Sequence, residues 1–362
     1  IEPESPSDRQ ALVNRYLAQL DYAPITTGSQ AIFIYQGAAT SIQLNGDMNN
    51  WNLAEAPQLT RLEGTDMWYL TAEFDPNARL DYLYVINGTN SRLDPLNPNT
   101  AQSDSETHSV LAMPNYQTPP ELLPATTEIP SGTIASYTLD SSYLNETRTF
   151  YIYQPPGQIV GAKLPTVIFN EGTDFLGVID TPALLDRLIA ERYIPPLVAV
   201  FVLPIISNED YTLNQDYADF IALELVPYIQ TNFDTDPSPQ KTAVLGPDIA
   251  GVSAVQTAVL HPDAIGLAAG LSGPYTIDDS ALLLRIAGQG APGVNFYLVV
   301  GSYETAVPVN GTEINILEAN QQLANILEDK GYPHLYEELP QGNGWSLWQS
   351  TISRALAYLL NE

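Results

Sequence analysis

The stretch Ala243–Ala254, with the sequence AVLGPDIAGVSA, decides the fold. It begins with apolar residues typical of a buried strand, passes through the turn residues Gly246 and Pro247, and continues as a helix. A strand, a tight turn and a helix form one repeat of a parallel α/β sheet. From residue 134 onward, apolar strands alternate with helices in the same way, and the predicted helices include Gln215–Thr231 and Ile314–Lys330. We therefore expect an α/β fold, a mostly parallel, doubly wound sheet with helices on both faces.

The first third of the chain has a different pattern. Ser7–Leu20 has its apolar residues on one helical face, with Ser7 as the predicted N-cap, and Pro24 ends that helix. Between residues 30 and 113, short alternating segments are separated by glycine turns, which predicts a small antiparallel β-sandwich. Four prolines between residues 117 and 132 indicate a stiff linker. The predicted organisation is an N-terminal helix and lead-in (1–28), a sandwich (29–116), a proline-rich linker (117–132) and an α/β domain (133–362).

The composition excludes several classes of partner. The chain has 42 acidic and 13 basic residues, a formal charge of -29, and no cysteine. This charge would repel nucleic acid and anionic membranes, and the missing cysteines exclude disulfides and thiolate chemistry. The acidity fits solubility in a salty or extracellular setting, or else cation binding or a charged assembly surface. Abundant Asn, Thr, Tyr and Pro, few lysines and a first residue other than Met predict an extracellular or periplasmic protein whose leader was removed.

Several blocks together carry a resemblance to a known family. The segment Gly246–Ala250 lies where α/β-hydrolases have their nucleophile elbow, G-x-S-x-G. His261–Gly266 (HPDAIG) follows it, and Gln341–Trp348 (QGNGWSLW) looks like a G-G-H-x-W-x-x-W segment. In the sandwich, Leu44–Asn52 (LNGDMNNWN) looks like the G-D-F-N-x-W signature. The chain thus resembles the enterochelin-esterase-like, or esterase D-like, branch of the α/β-hydrolases, with an immunoglobulin-like sandwich in front.

The departures from that family bear on function. The position of the nucleophilic serine holds Asp248, the position of the histidine holds Asn343, and the acid maps to Glu304. The resemblance places the former oxyanion region at Glu171, Gly172 and Ile249. Asparagine cannot shuttle a proton, and an aspartate has no hydroxyl and would repel a forming oxyanion. Loss of both groups predicts a catalytically inactive chain.

Some α/β-hydrolases, the haloalkane dehalogenases and epoxide hydrolases, use an aspartate as nucleophile. Their ester intermediate needs a histidine-activated water. None of the three histidines, His108, His261 and His334, lies where the sequence would place such a base. Ser253, one turn into the helix, and Ser272, after a strand, are predicted to be structural.

Two ligand sites are further hypotheses. Acidic residues gather around the former active site, where they would hold a hard cation such as Ca²⁺ through oxygen ligands. The predicted metal ligands are Glu171, Asp174, Asp248 and Glu304. No other cofactor is expected. Trp51 and Trp68 are candidates for stacking on carbohydrate, with packing inside the sandwich as the alternative.

Three functions remain open from the sequence. The first is a pseudo-hydrolase that acts as an extracellular binding, scaffold or assembly subunit, with a protein partner or by self-assembly. The second is an active carboxylic-ester hydrolase, acting on a siderophore or carbohydrate ester, with an atypical site at Asp248. The third is a carbohydrate-binding protein that works through the sandwich.

Overall fold

The computed structural model describes residues 5–103, 106–125, 127–157, 161–289 and 293–361. The chain forms two compact units. The first contains the described residues up to Gln117 together with two later segments, Gly301–Glu304 and Leu339–Ser346. The second contains the remaining residues from Thr118 onward. Both later segments fall within the α/β domain predicted from the sequence, because nothing local marks them as partners of the sandwich.

The first helix, α1, spans Pro6–Leu17. Its N-cap is Ser5, whose side chain accepts the backbone N–H of Asp8, and not the predicted Ser7. The cap moves because Pro6, which has no N–H to satisfy, occupies the first turn. Gln10 ties the helix to the sandwich, since its side chain donates to Asp66 Oδ1 at 2.6 Å and accepts the Asp66 N–H at 2.9 Å.

Nine strands lie in the described residues that follow α1 in the first unit. They are β1 (Ile25–Thr27), β2 (Gln30–Gln36), β3 (Ile42–Gly46), β4 (Thr60–Arg61), β5 (Met67–Glu73), β6 (Arg79–Ile86), β7 (Asn90–Arg92), β8 (Thr100–Ser103) and β9 (Glu106–Ala112). One antiparallel sheet has the order β1-β2-β5-β4, and the other has the order β3-β6-β9-β8, with β7 on β6. Residues of both sheets share one apolar core, as a sandwich requires.

A buried polar group organises this core. Phe33 of β2 and Tyr82 of β6 meet edge to face, with ring centroids 5.2 Å apart. Asp94 accepts the hydroxyls of Tyr82 and Tyr84 at 2.7 and 3.1 Å. Burial raises the pKa of Asp94, while these hydrogen bonds oppose the rise. The segment after β7 therefore has a structural role.

The second unit is built on an eight-stranded sheet. Its strands are β10 (Thr133–Ser141), β11 (Glu146–Gln154), β12 (Thr166–Phe169), β13 (Val198–Val202), β14 (Thr242–Pro247), β15 (Leu267–Leu271), β16 (Asn295–Gly301) and β19 (His334–Leu339), and a hairpin of β17 (Val307–Val309) and β18 (Thr312–Ile314) lies apart. The order is β10-β11-β13-β12-β14-β15-β16-β19. The first two pairings are antiparallel, and those from β13 through β16 are parallel. The doubly wound sheet predicted from the sequence is confirmed.

The described part of the chain contains ten further helices. They are α2 (Gly172–Gly177), α3 (Thr181–Ala190), α4 (Ser207–Tyr211), α5 (Gln215–Asp219), α6 (Val226–Asn232), α7 (Asp248–Leu260), α8 (Ile277–Gly288), α9 (Ile316–Lys330), α10 (Trp345–Gln349) and α11 (Ile352–Leu360). The single helix predicted between residues 215 and 231 passes through a π-helical segment, Phe220–Leu225, between α5 and α6. Across the described residues, no helix combines the length and the apolar character that a membrane crossing needs.

Candidate functional site

The turn between β14 and α7 keeps the geometry of a nucleophile elbow. Asp248 follows the strand directly, begins the helix and has a φ of 47°, in the left-handed region that non-glycine residues rarely adopt. Close packing fixes this turn. A Cβ on Gly246 would lie 2.4 Å from the Ala250 carbonyl oxygen, and one on Gly251 would lie 2.8 Å from the Gly246 oxygen. The turn therefore holds Asp248 at its tip, between the end of β14 and the start of α7.

The side chain of Asp248 lies at the N-terminus of a 13-residue helix. The helix dipole and the N–H groups of the first turn favour a negative charge there. An aspartate is thus compatible with this position for purely structural reasons. The backbone also tolerates it, because aspartate enters the left-handed region more readily than most residues do.

Glu171 is the most strongly perturbed acid near the elbow. It follows β12, has a φ of 63° and precedes α2. Burial raises its pKa to about 7, a hydrogen bond from Ser207 opposes the rise, and the charges of Asp174, Asp248 and Asp210 add to it. The structure thus brings three of the four predicted acids, Glu171, Asp174 and Asp248, into one electrostatic environment.

The backbone of Glu171 is committed to an internal hydrogen bond. Its N–H donates to the hydroxyl of Tyr211 at 2.9 Å. Tyr217 packs at a right angle to Tyr211 and donates to Asn170 Oδ1 at 3.0 Å. Asn170 in turn donates to the Ala250 carbonyl at 3.4 Å, so that the network reaches the elbow. The Glu171 N–H, predicted to belong to an oxyanion site, is therefore used to hold the loop.

Close packing explains why the residue at position 172 is a glycine. A Cβ at this position would lie 2.6 Å from the carbonyl carbon of Phe201 and 2.7 Å from the oxygen of Val202, both in β13. Ile249, the other residue of the predicted oxyanion region, is buried in the core of the second unit. Both positions are thus constrained by their neighbours.

A buried ion pair supports α4, the helix that ends at Tyr211. Arg148 of β11 pairs with Asp210, with its Nη1 2.7 Å from Oδ2, and both side chains are almost fully buried. Asp210 also accepts the N–H of Ile205 at 2.9 Å. The guanidinium lies 5.8 Å from the Tyr217 ring centroid. This pair could not be predicted from the sequence, because 62 residues separate its members.

Glu304 and Asn343 meet, as the mapping of the acid and histidine positions implied. Glu304 is fully buried. Its Oε2 accepts the side-chain amide of Asn343 at 2.8 Å, and its Oε1 accepts the Gly301 N–H at 2.6 Å. The side-chain amide of Asn343 thus makes a hydrogen bond to the Glu304 carboxylate like the one that a histidine imidazole makes to the acid of a catalytic triad. Both residues belong to the first unit, and Asp248 belongs to the second.

The loop that carries Asn343 is held by the signature segment of the sandwich. A Cβ on Gly342 would lie 2.1 Å from the Asp47 carboxyl carbon, so only glycine fits. Asp47 accepts the Trp51 indole N–H at 3.0 Å and the Asp81 backbone N–H at 2.7 Å. Burial, followed by the charge of Asp81, raises the pKa of Asp47 to about 8. Ser346 donates to Asp81 Oδ2 at 2.9 Å, which fixes the far end of the loop.

The two tryptophans predicted to bind carbohydrate are engaged within the sandwich. Trp68 is only 6% exposed, and its indole N–H donates to the Gly37 carbonyl at 3.2 Å, so it offers no face to a sugar. This part of the prediction is wrong because the side chain belongs to the core. Trp51 is half-buried and stacks on His108, with ring centroids 4.4 Å apart. One of its faces is therefore covered.

The serines predicted to be structural are buried. Ser253 is 3% exposed inside α7. Ser272 is fully buried, and its hydroxyl accepts the Trp348 indole N–H at 2.9 Å. The Trp348 indole thus packs onto Ser272, the residue that follows β15.

The histidines of the second unit lie far from Asp248. His261 caps the opposite end of α7, about 20 Å along the helix axis, and its Nε2 lies 2.7 Å from Asp219 Oδ1. His334 begins β19, three strand spacings or about 14 Å away across the sheet. Because β19 runs parallel to β16, His334 also lies at the amino edge of the sheet, whereas Asp248 lies at the carboxyl edge. Neither supplies a base to the elbow.

The predicted calcium site gains no geometric support. In the part of the chain that the structure describes, no group of three or more His, Asp or Glu side chains is arranged to hold a metal ion. Glu304 already accepts two hydrogen bonds, and the charge of Glu171 is disfavoured by burial and by its acidic neighbours. Metal binding at these residues stays a prediction.

Comparison with known proteins identifies relatives of this chain. A family described as "Putative esterase" matches residues 141–359. A Bacillus subtilis protein described as "Uncharacterized protein YjcH" is 24% identical over 239 residues, which cover 64% of this chain and 98% of that protein.

Solved structures extend the likeness over nearly the whole chain. Ferric enterobactin esterase from Salmonella typhimurium matches with a TM-score of 0.80 and 17% identity, covering 96% of this chain and 98% of that chain. Enterobactin esterase from Shigella flexneri matches with a TM-score of 0.76 and 18% identity, covering 96% and 97%. The matches confirm the predicted fold class, an α/β-hydrolase sheet preceded by a β-rich domain.

Proposed function

We propose that this chain, which belongs to the esterase family, is a member that no longer hydrolyses esters and instead binds a ligand or a partner. The observation that carries the proposal is the elbow. Its strained, closely packed turn is intact, yet it presents the carboxylate of Asp248 where a nucleophilic hydroxyl is required. A carboxylate at this point would oppose the negative charge that develops on the substrate oxygen.

The pairing of Glu304 with Asn343 supports the same proposal. In a triad the acid orients an imidazole, which takes a proton from the nucleophile and returns it to the leaving group. The amide of Asn343 makes the orienting hydrogen bond at 2.8 Å but has no proton to exchange near neutral pH. The orienting hydrogen bond is thus made by a group that cannot carry a proton.

Hydrolysis of p-nitrophenyl acetate and butyrate tests the proposal. We expect no turnover above the buffer rate for the natural chain. The double variant Asp248→Ser with Asn343→His restores both reacting groups, and any activity it gains would show that the rest of the pocket persists. Ser253→Ala is the matched control, because that serine is buried in α7 and lies outside the site. Turnover by the natural chain that Asp248→Ala abolishes would overturn the proposal.

A second candidate is an active carboxylic-ester hydrolase with an atypical site. The observation in its favour is Glu171, whose pKa of about 7 lies close to neutrality and is influenced by the charge of Asp248. Such a group could exchange protons with water beside an aspartate nucleophile. In that case turnover would depend on both Asp248 and Glu171, and Glu171→Gln would abolish it. Loss of turnover in only one of these variants would count against the pair.

The charge and composition of the chain bear on the role that it would have outside catalysis. A binding or assembly subunit outside the cytoplasm fits the charge of -29 and the sequence composition. Light scattering coupled to size-exclusion chromatography tests self-assembly, and fractionation of the source cells tests the location. A strictly monomeric chain would leave binding of a ligand or of a different protein as the function.

A further inference from the structure

Four asparagines of the chain are each followed directly by a glycine. The pairs are Asn45-Gly46, Asn87-Gly88, Asn310-Gly311 and Asn343-Gly344. Asparagine is a chemically labile residue, and in such a pair the backbone nitrogen of the glycine attacks the side-chain carbonyl carbon of the asparagine. Glycine favours the attack because it has no Cβ to obstruct the approach. The reaction also needs an accessible side chain and a backbone that moves, so the fold decides which of the four pairs reacts.

The pair Asn310-Gly311 forms the tip of the β17–β18 hairpin. Val309 and Thr312 pair with each other, so these two residues alone make the turn, with φ values of 49° and 79°. Positive φ at both positions is the geometry of a two-residue hairpin loop that prefers the sequence Asn-Gly. Both residues are exposed, and a Cβ on Gly311 would meet no described atom within 4 Å. The two reacting groups thus lie in open space.

Little holds this hairpin tip in place. In the part of the chain that the structure describes, the Asn310 side chain and the Gly311 N–H make no hydrogen bond. The strands β17 and β18 have three residues each and form a two-stranded sheet of their own, in which only Val309 is buried. A two-stranded hairpin is marginally stable by itself. Its tip therefore opens locally at a low cost in free energy.

The hairpin tip at Asn87-Gly88 has the same sequence and a different environment. Asn87 Oδ1 accepts the backbone N–H and the hydroxyl of Thr40, both at 2.8 Å. These bonds fix the asparagine side chain on a neighbouring segment. The preceding strand, β6, is buried along its whole length and pairs with β3, β7 and β9. Opening this tip disturbs a larger sheet, so we expect Asn87 to be protected.

The two remaining pairs are also restrained. The Gly46 N–H donates to Asn49 Oδ1 at 2.9 Å, and Gly46 is buried, so the attacking nitrogen is occupied. The Asn343 side chain donates to Glu304 Oε2 at 2.8 Å, and Glu304 is fully buried. Both asparagines are only partly exposed. Reaction at either pair requires a hydrogen bond of the folded chain to break first.

We propose that Asn310 is a site of spontaneous deamidation at which the chain forms an isoaspartyl residue. The Gly311 nitrogen loses its proton and attacks Asn310 Cγ. A C–N bond forms, the Cγ–Nδ2 bond breaks, and the amide nitrogen leaves as ammonia with that proton. Water then opens the cyclic imide. Its attack on Cγ gives aspartate, and its attack on the backbone carbonyl carbon of Asn310 gives isoaspartate.

The product changes the hairpin in two ways. An isoaspartyl residue has an additional methylene in the main chain, so the turn no longer matches the two-residue loop that pairs Val309 with Thr312. It also adds a negative charge beside Glu313. The modification requires neither Asp248 nor hydrolysis of an ester, and it is therefore independent of the function proposed for the elbow.

Incubation of the full natural chain at mildly alkaline pH tests the proposal. Mass spectrometry of peptides measures deamidation at each of the four asparagines, and an isoaspartyl methyltransferase with labelled S-adenosylmethionine detects isoaspartate. We expect Asn310 to react about tenfold or more faster than each of the other three, because they react only after local opening. In concentrated urea the four rates should lie within about threefold of one another, because the folded restraints are gone.

Matched variants locate the labelled residue. Asn310→Gln should abolish most methyl labelling of the folded chain, because ring closure through glutamine gives a larger ring and is slower. Asn87→Gln makes the same change at the other hairpin tip and should leave the labelling unchanged.

Three results would overturn the proposal. The first is equal rates at all four asparagines in the folded chain. The second is an Asn310 that reacts in urea but is as slow as the others in the folded chain, which would show that the hairpin protects it. The third is full methyl labelling in Asn310→Gln.

Discussion

Replacing Glu171 with glutamine should stabilise the folded chain at alkaline pH and change it little at acidic pH. In the folded state the pKa of Glu171 is raised from 4.5 to about 7, mainly by burial. The folded state then binds the proton more tightly than the unfolded state does, so the free energy of unfolding falls as pH rises from the unfolded pKa to the folded one. Glutamine resembles the neutral carboxyl group and removes this penalty.

The magnitude follows from the size of the pKa shift. A shift of one pKa unit corresponds to about 1.4 kcal/mol, so ionisation of Glu171 costs roughly 3 kcal/mol at about pH 8. At about pH 5 the folded wild type is already protonated at this residue, and the same linkage relation gives a cost below about 1 kcal/mol. The gain from Glu171→Gln should therefore shrink about threefold between the two conditions.

Urea unfolding monitored by circular dichroism at both pH values measures the difference. Glu328→Gln is the matched control, since it makes the same chemical change at an exposed position of α9. An equal gain for Glu171→Gln at both pH values would refute the linkage argument. So would a control variant that reproduces the effect, or a Glu171→Gln variant that is no more stable than wild type at about pH 8.

Three further substitutions probe the framework, each measured by thermal or urea unfolding. Gly246→Ala should destabilise by about 3 kcal/mol, because its Cβ would lie 2.4 Å from the Ala250 oxygen, and wild-type stability would contradict the packing account. Asp210→Asn should cost about 3 kcal/mol because it removes the buried partner of Arg148 and leaves only the more exposed Glu146 to compensate the guanidinium, whereas a cost below about 1 kcal/mol would mean that water reaches the pair. Ser272→Ala should cost about 1 to 3 kcal/mol by leaving a buried indole N–H unsatisfied, and a neutral effect would show that another acceptor replaces it.

The sequence predicted the parts of this structure that depend on local pattern. The alternation of strands and helices and the turn from strand to helix at Asp248 both follow from periodicity and turn chemistry. The ends of helices differ from their predicted positions where the residues pair with another segment of the chain. The helix predicted to run from Ile314 begins at Ile316, because the segment Thr312–Ile314 pairs with Val307–Val309 as a hairpin.

The contacts of the sandwich signature segment, Leu44–Asn52, could not be predicted from the sequence. Trp51 was expected either to bind sugar or to pack, and its indole instead holds Asp47, which contacts the glycine next to Asn343. Ser346 and Asp81 are hydrogen-bonded across 265 residues of sequence. No pattern within a single sequence encodes such a pairing. The two late segments could therefore not be assigned to the first unit before the structure was known.

The elbow also shows how close packing can accompany a strained turn. A positive φ at a non-glycine residue costs of order 1 to 3 kcal/mol and persists only where the surroundings enforce it. Around Asp248 the packing is close, because a Cβ on Gly246 would lie 2.4 Å from the Ala250 oxygen and one on Gly251 would lie 2.8 Å from the Gly246 oxygen. Relaxing the turn would disturb the contact between β14 and α7. An aspartate is compatible with this contact, because the helix N-terminus favours its charge. The geometry of the elbow is thus evidence of packing, and the function has to be inferred from the side chains it presents.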